Sequence, residues 1–165
     1  MGATELGSAE SAKLRRAGRE DAGAVADVLI RSRRASVGLI PPGVHSDDEV
    51  RQWVKIFVIV KREVWVAESA DGRALAVLVL DGDWVDQLYV NPAWTGLGLG
   101  SRLIELAKSR RPAGLQLWTF VTNVKARRFY ERHGFAVVEM TDGRGNEEKE
   151  PDIRLVWPGC QVLPA

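Results

Sequence analysis

Apolar and polar positions change period several times along the chain, and each change marks an element. Lys13-Leu14-Arg15-Arg16-Ala17 predicts a short first strand. After Glu20-Asp21, Val25, Val28 and Leu29 share one face of a helix, and Arg31, Arg33 and Arg34 at its end suit the helix dipole. Gly38, Pro41, Pro42 and Gly43 make Ala35 to Val44 a loop. Ser46, with Glu49 three residues on, has the form of a capping box. The helix it opens carries Val50, Trp53, Val54 and Phe57 on its apolar side. Glu63 to Glu68 and Ala74 to Leu80 alternate about the turn Ala70-Asp71-Gly72-Arg73, which predicts a hairpin. Asp81-Gly82-Asp83 turns again into a third strand, Trp84 to Val90, ended by Asn91-Pro92.

Beyond that strand the period becomes helical. Leu99, Leu103, Ile104 and Ala107 line a helix that runs to Arg111, and Leu115 to Val121 forms the next strand. A strand-helix-strand crossover makes its two strands parallel neighbours, so the sheet is mixed. Ala126, Phe129, Tyr130 and His133 fall at i, i+3, i+4 and i+7 of another helix, closed by Gly134. Phe135 to Thr141 reads as a strand, 142–151 as a polar loop, and Asp152 to Trp157 as the last strand. Residues 1–12 are small and polar and predict a flexible leader, leaving 13–165 as a single domain.

Composition narrows the possible partners. The 165 residues are 45% hydrophobic and 27% charged with a net charge of +1, which offers no general attraction to nucleic acid or anionic lipid. No run reaches the roughly 18 apolar residues of a membrane span, and a cytoplasmic location is the expectation. One cysteine, Cys160, and two distant histidines, His45 and His133, give neither a disulfide framework nor a metal cluster, so no metal site is expected.

The candidate chemistry sits where the third hairpin strand meets its helix. Gly96, Gly98 and Gly100 carry no Cβ to keep a ligand off the backbone, and a helix N-terminus offers unpaired N–H groups to a phosphate or diphosphate. Ser101 adds a hydroxyl at the same place. The spacing is one residue too short for a dinucleotide fingerprint, and no lysine precedes Ser101 as a P-loop requires.

Leu88-Tyr89-Val90-Asn91-Pro92 followed by Gly98-Leu99-Gly100 resembles the acetyl-CoA motif of the GCN5-related N-acetyltransferase (GNAT) family. Thr95 stands where that family usually has Gln or Arg. About 30 residues on, Asn123-x-x-Ala126-Arg127-Arg128-Phe129-Tyr130-Glu131-Arg132-x-Gly134-Phe135 resembles the family's second signature. The resemblance implies a GNAT-like α/β fold: about seven mostly antiparallel strands with one parallel pair, flanked by four helices. It implies acetyl-CoA as cofactor, held by Leu88, Tyr89, Val90, Thr95, Gly96, Leu97, Gly98, Leu99, Gly100, Ser101, Asn123 and Arg127. The Val90 N–H becomes a candidate oxyanion donor. The loop from Ser36 to His45 becomes one wall of an acceptor site.

Amine attack on a thioester needs a free amine, a stabilised oxyanion and a thiol able to leave. A tyrosine near pKa 10 keeps its proton where a thiol, near 8.5, is leaving, and the family's general acid aligns with Tyr130. For the base, Trp84, Asp86, Leu88 and Val90 share a strand face by period two. Several members of the resembled family carry on this strand a carboxylate that relays a proton through water, and the resemblance so implies Asp86, with Glu68 and His45 behind it. The expected activity is N-acetylation of a small or peptidic primary amine by direct attack. A non-catalytic acyl-CoA sensor and a transferase of another acyl group are the alternatives, and a homodimer is compatible with the family.

Overall fold

A computed structural model describes residues 9–160. Seven strands form one sheet in the order β1-β2-β3-β4-β5-β7-β6. They are β1 (Lys13–Arg16), β2 (Glu63–Glu68), β3 (Ala74–Asp81), β4 (Trp84–Val90), β5 (Leu115–Phe120), β6 (Ala136–Met140) and β7 (Asp152–Trp157). Every neighbouring pair is antiparallel except β4 and β5. Four helices flank the sheet. α1 spans Ala22–Ala35, α3 Leu99–Arg110 and α4 Val124–Arg132. α2 runs through Asp47–Trp53, a π turn over Val54–Val58, and Ile59–Lys61. The mixed sheet, the single parallel pair and the four helices agree with the expectation from sequence.

β3, between β2 and β4, is buried on both faces. Ala76, Leu78 and Leu80 join Leu99, Leu103, Ile104 and Ala107 of α3 in one core, while Val77 and Val79 join Val25, Ala26 and Leu29 of α1 in the other. The helical stripe read for α3 is the one it buries. That for α2 needs correction. Val54 and Val58 are fully buried, whereas Trp53 and Phe57 are more than a third exposed. The extra residue per turn in the π segment rotates the later positions away from the face that 3.6 periodicity assigns.

Of the leader expected over 1–12, residues 1–8 lie outside the described part. Ala9 and Ala12 are buried in the main core, and Arg102 of α3 donates to both their carbonyls, at 3.1 and 2.7 Å. Residues 9–12 are thus packed against α3. Among the described residues no helix is long and apolar enough to cross a membrane, and no group of three His, Cys, Asp or Glu is placed to hold a metal ion.

The far end of α3 is fixed to the sheet by Glu63. Its carboxylate accepts from Arg110 Nε and Arg111 Nη2, each at 2.7 Å, and from Trp65 Nε1 at 2.9 Å. Burial alone would push this carboxyl up. The bonds from Arg111, Trp65 and Arg110 outweigh it and hold the pKa at about 2 against an ordinary 4.5. The folded group is therefore more acidic than the unfolded one. Its contribution, about 3 kcal/mol, is full above pH 4.5 and disappears as pH falls through about 2. Urea unfolding at pH 7 and pH 3 checks this: Glu63→Gln loses stability at pH 7 and shows a shallower acid decline than the parent.

Candidate active site

β4 and β5 part company early. They share one registered pair, Trp84 with Gln116, reinforced by the Gln116 N–H on the Asp83 carbonyl at 2.9 Å. Beyond it β5 pairs only with β7, leaving a gap beside the C-terminal half of β4. On the other side of β4 the ladder with β3 is antiparallel, and the Asn91 N–H donates to the Leu75 carbonyl at 2.8 Å. Hydrogen bonding alternates along such a ladder. Tyr89 and Asn91 therefore face β3, and the N–H groups of Leu88 and Val90 point into the gap. The Val90 carbonyl, on the same side, accepts from Ser32 Oγ of α1 at 2.7 Å.

The ladder slips by one residue within β4. Gln87 is opposite Val79 but Val85 is opposite Leu80, so Asp86 is the extra residue of a β-bulge. This corrects the period-two face. Val85 sits in the same core as Leu88 and Val90, and Asp86 does not continue their alternation. It lines a cavity of about 310 Å³ with Asp81, Trp84, Val85 and Trp118. Asp86 keeps part of its surface open to solvent, yet burial against the surrounding protein pushes its carboxyl up. Asp81 adds to the rise, while Arg62 and Gln87 oppose it.

The glycine turn follows Pro92–Trp94. Gly98 has φ +87° and caps α3 from the left-handed region, and Gly96 has φ +77°. No atom lies within 4 Å of where a Cβ would stand at either position, so the turn presents open backbone. Gly100 differs. A Cβ there would meet the Phe129 ring at 3.4 Å, so this glycine lets α3 approach α4. The Leu99 side chain is in the core, Leu97 packs against it, and Thr95 Oγ1 donates to the Pro92 carbonyl at 3.1 Å.

Tyr130 of α4 is 8% exposed, with its ring edge-on to Phe129 and Phe135. Burial, with Tyr89 as the interacting neighbour, pushes its hydroxyl well above the ordinary tyrosine range. Tyr89 itself is raised chiefly by burial, with Glu148 and Asp86 adding and Arg33 opposing. Hence a second tyrosine stands by the gap with Arg33 of α1 and Glu148 of the β6–β7 loop. Arg33 and Glu148 are 3.5 Å apart, and His45 Nε2 and Glu147 Oε2 2.9 Å, which joins the loop after α1 to the loop before β7.

Other expected positions are occupied by structural work. Asn123 Oδ1 accepts from the Ala126 N–H at 3.2 Å and so caps α4. Arg127 donates to the Val121 carbonyl, and its buried Nε has no partner. Glu68 is ion-paired with Arg15 at the β1–β2 edge, the Arg15 Nε donating at 2.6 Å. Sequence reasoning missed Arg33, Glu148, Ser32 and the Tyr89 hydroxyl. Arg33 reads as a solvated helix end because its partner is 115 positions away.

The model of the acetyltransferase (GNAT) domain family matches residues 60–137. A peptidyl-lysine N-acetyltransferase, YjaB of Salmonella typhimurium, is 28% identical over 95 residues, 58% of this chain; the match spans 65% of that relative, just under two thirds of its length. The solution structure of apo YjaB from Escherichia coli superposes with a TM-score of 0.73 at 24% identity, over 90% of this chain and 99% of the other. YncA from Salmonella typhimurium, a structure with its cofactor acetyl-CoA, superposes with a TM-score of 0.63 at 20% identity, over 94% and 98%.

Proposed function

Since the chain belongs to the GNAT acetyltransferase family, we propose that it transfers the acetyl group of acetyl-CoA to a primary amine, with a lysine side chain of a peptide or protein as the favoured acceptor. One observation carries the reading. The divergence of β4 from β5 turns the amides of Leu88 and Val90 into a gap that opens beside the uncovered backbone of Gly96 and Gly98. A diphosphate fits such a turn because unpaired N–H groups and the helix dipole both favour an anion. These residues suit the diphosphate of acetyl-CoA.

When bound, acetyl-CoA supplies an activated acyl thioester. The Val90 N–H donates to the carbonyl oxygen as negative charge builds on it. The amine nitrogen forms the new C–N bond and the C–S bond breaks. Asp86 takes the surplus amine proton through water, and Tyr130 donates to the departing sulfur. The raised Tyr130 keeps its proton throughout the working pH range, and the raised Asp86 is a better base than a free aspartate. The acceptor reading rests on the peptidyl-lysine relative and on the carboxylates near Tyr89, Asp86 and Glu148, which favour a cationic amine.

Release of free thiol from acetyl-CoA, followed with lysine peptides and small amines, tests the reading. Amine-dependent release is expected. Binding without release for any amine selects the sensor, and release only from a longer or charged acyl-CoA selects another acyl group. Asp86→Asn should lower kcat/KM by about 10- to 100-fold. Because the base must be ionised, activity in the parent falls as pH drops through the raised carboxyl value, and the asparagine variant loses that acid limb. A pH profile of both proteins checks it.

A further inference from the structure

Three side chains from two helices form a continuous relay at the mouth of α3. Ser101 Oγ, in its first turn, lies 3.0 Å from His133 Nε2, and His133 Nδ1 lies 3.3 Å from Glu105 Oε1. His133 caps the C-terminus of α4, its N–H bonded to the Tyr130 carbonyl, and its side chain is 17% exposed. The relay thus ties the helix bearing Tyr130 to the helix that follows the glycine turn. It lies outside the reacting groups, and neither family motif includes it.

Each atom's role follows from its neighbour. Glu105 is a carboxylate, held below its usual range by Lys108 and, after burial's opposing effect, by His133, so it accepts from Nδ1–H. Nε2 of a neutral ring is then an acceptor, and the Ser101 hydroxyl donates to it. An anion docked at the helix mouth changes this. The serine proton turns to the anion, and Ser101 Oγ then faces an Nε2 lone pair. A proton on Nε2 removes that clash and brings a positive charge toward the anion. Glu105 stabilises the resulting imidazolium.

We infer that His133 is a positioning residue of the diphosphate site, taking up a proton from solvent when coenzyme A binds and the Ser101 hydroxyl turns to it. The inference rests on the cofactor reading above. The charged groups facing His133 are Glu105 and, beyond it, Lys108, both on α3. Its own helix presents the uncharged Phe129 ring at 4.7 Å, and β7 presents Trp157, which packs on Gly134 and under Lys108.

The test is calorimetry of coenzyme A binding in buffers of different ionisation enthalpy, on the whole chain and on His133→Gln and Ser101→Ala. The ligand's own phosphates contribute equally to all three, so the difference reports His133. Wild type should take up more protons than either variant. A ring whose pKa rises on binding favours the complex at low pH, and the gain is lost as pH rises through the raised value. Wild-type Kd should therefore weaken by about tenfold more than that of His133→Gln between pH 6 and 8. Equal proton uptake with parallel pH profiles overturns the inference and leaves the cofactor reading intact. Absence of coenzyme A binding at every pH removes both.

Discussion

Tyr130→Phe is expected to lower kcat by about 100-fold or more while leaving the Kd for acetyl-CoA within about threefold. The hydroxyl is the only atom group removed, and the ring contacts with Phe129 and Phe135 remain, so the fold should survive. Burial, with Tyr89 nearby, raises the hydroxyl far above a thiol's range, so Tyr130 donates at any pH where the amine is reactive. No alkaline limb should therefore be traceable to its ionisation. Steady-state kinetics with a matched binding titration checks the pair of values. Loss of affinity with unchanged kcat would move Tyr130 from the chemistry to the cofactor site.

Gly98→Val is expected to weaken acetyl-CoA binding by about 100-fold or more, the larger effect on affinity of any substitution considered. A β-branched residue at φ +87° is strained, and its side chain would occupy the open space where no atom now lies within 4 Å. A hundredfold loss needs only one or two charge-assisted hydrogen bonds of about 1.5–3 kcal/mol to fail. Far-UV circular dichroism on the same sample separates a closed cradle from an unfolded chain. Gly100→Ala offers a contrast, since a Cβ there meets Phe129 at 3.4 Å and disturbs helix packing before it touches a ligand.

Much of this was legible in the residues, for reasons that are local. The α3 stripe of Leu99, Leu103, Ile104 and Ala107 buries as its period requires. The two motifs each stand at a strand-to-helix junction, where backbone geometry is set by nearby glycine and asparagine. What was hidden depends on long-range pairing. A one-residue slip opposite Val79 and Leu80 gives Asp86 its place in the cavity, and such a bulge leaves no mark in the pattern of β4 alone. The π turn in α2 likewise exposes Phe57 although its spacing matches a buried face. Glu68 was a candidate base until Arg15, 53 positions away, took it. Ser101 stands in the first turn of α3, but its partner His133 lies 32 positions on, at the end of α4.

In the proposed function, main-chain amides of β4 and of the turn before α3 hold the cofactor. Amide-resolved NMR during an acetyl-CoA titration tests it directly. The resonances of Leu88, Val90, Gly96, Gly98, Leu99 and Ser101 should shift together and saturate at one stoichiometric equivalent. Saturating shifts confined to other amides, or none at all, would contradict the account.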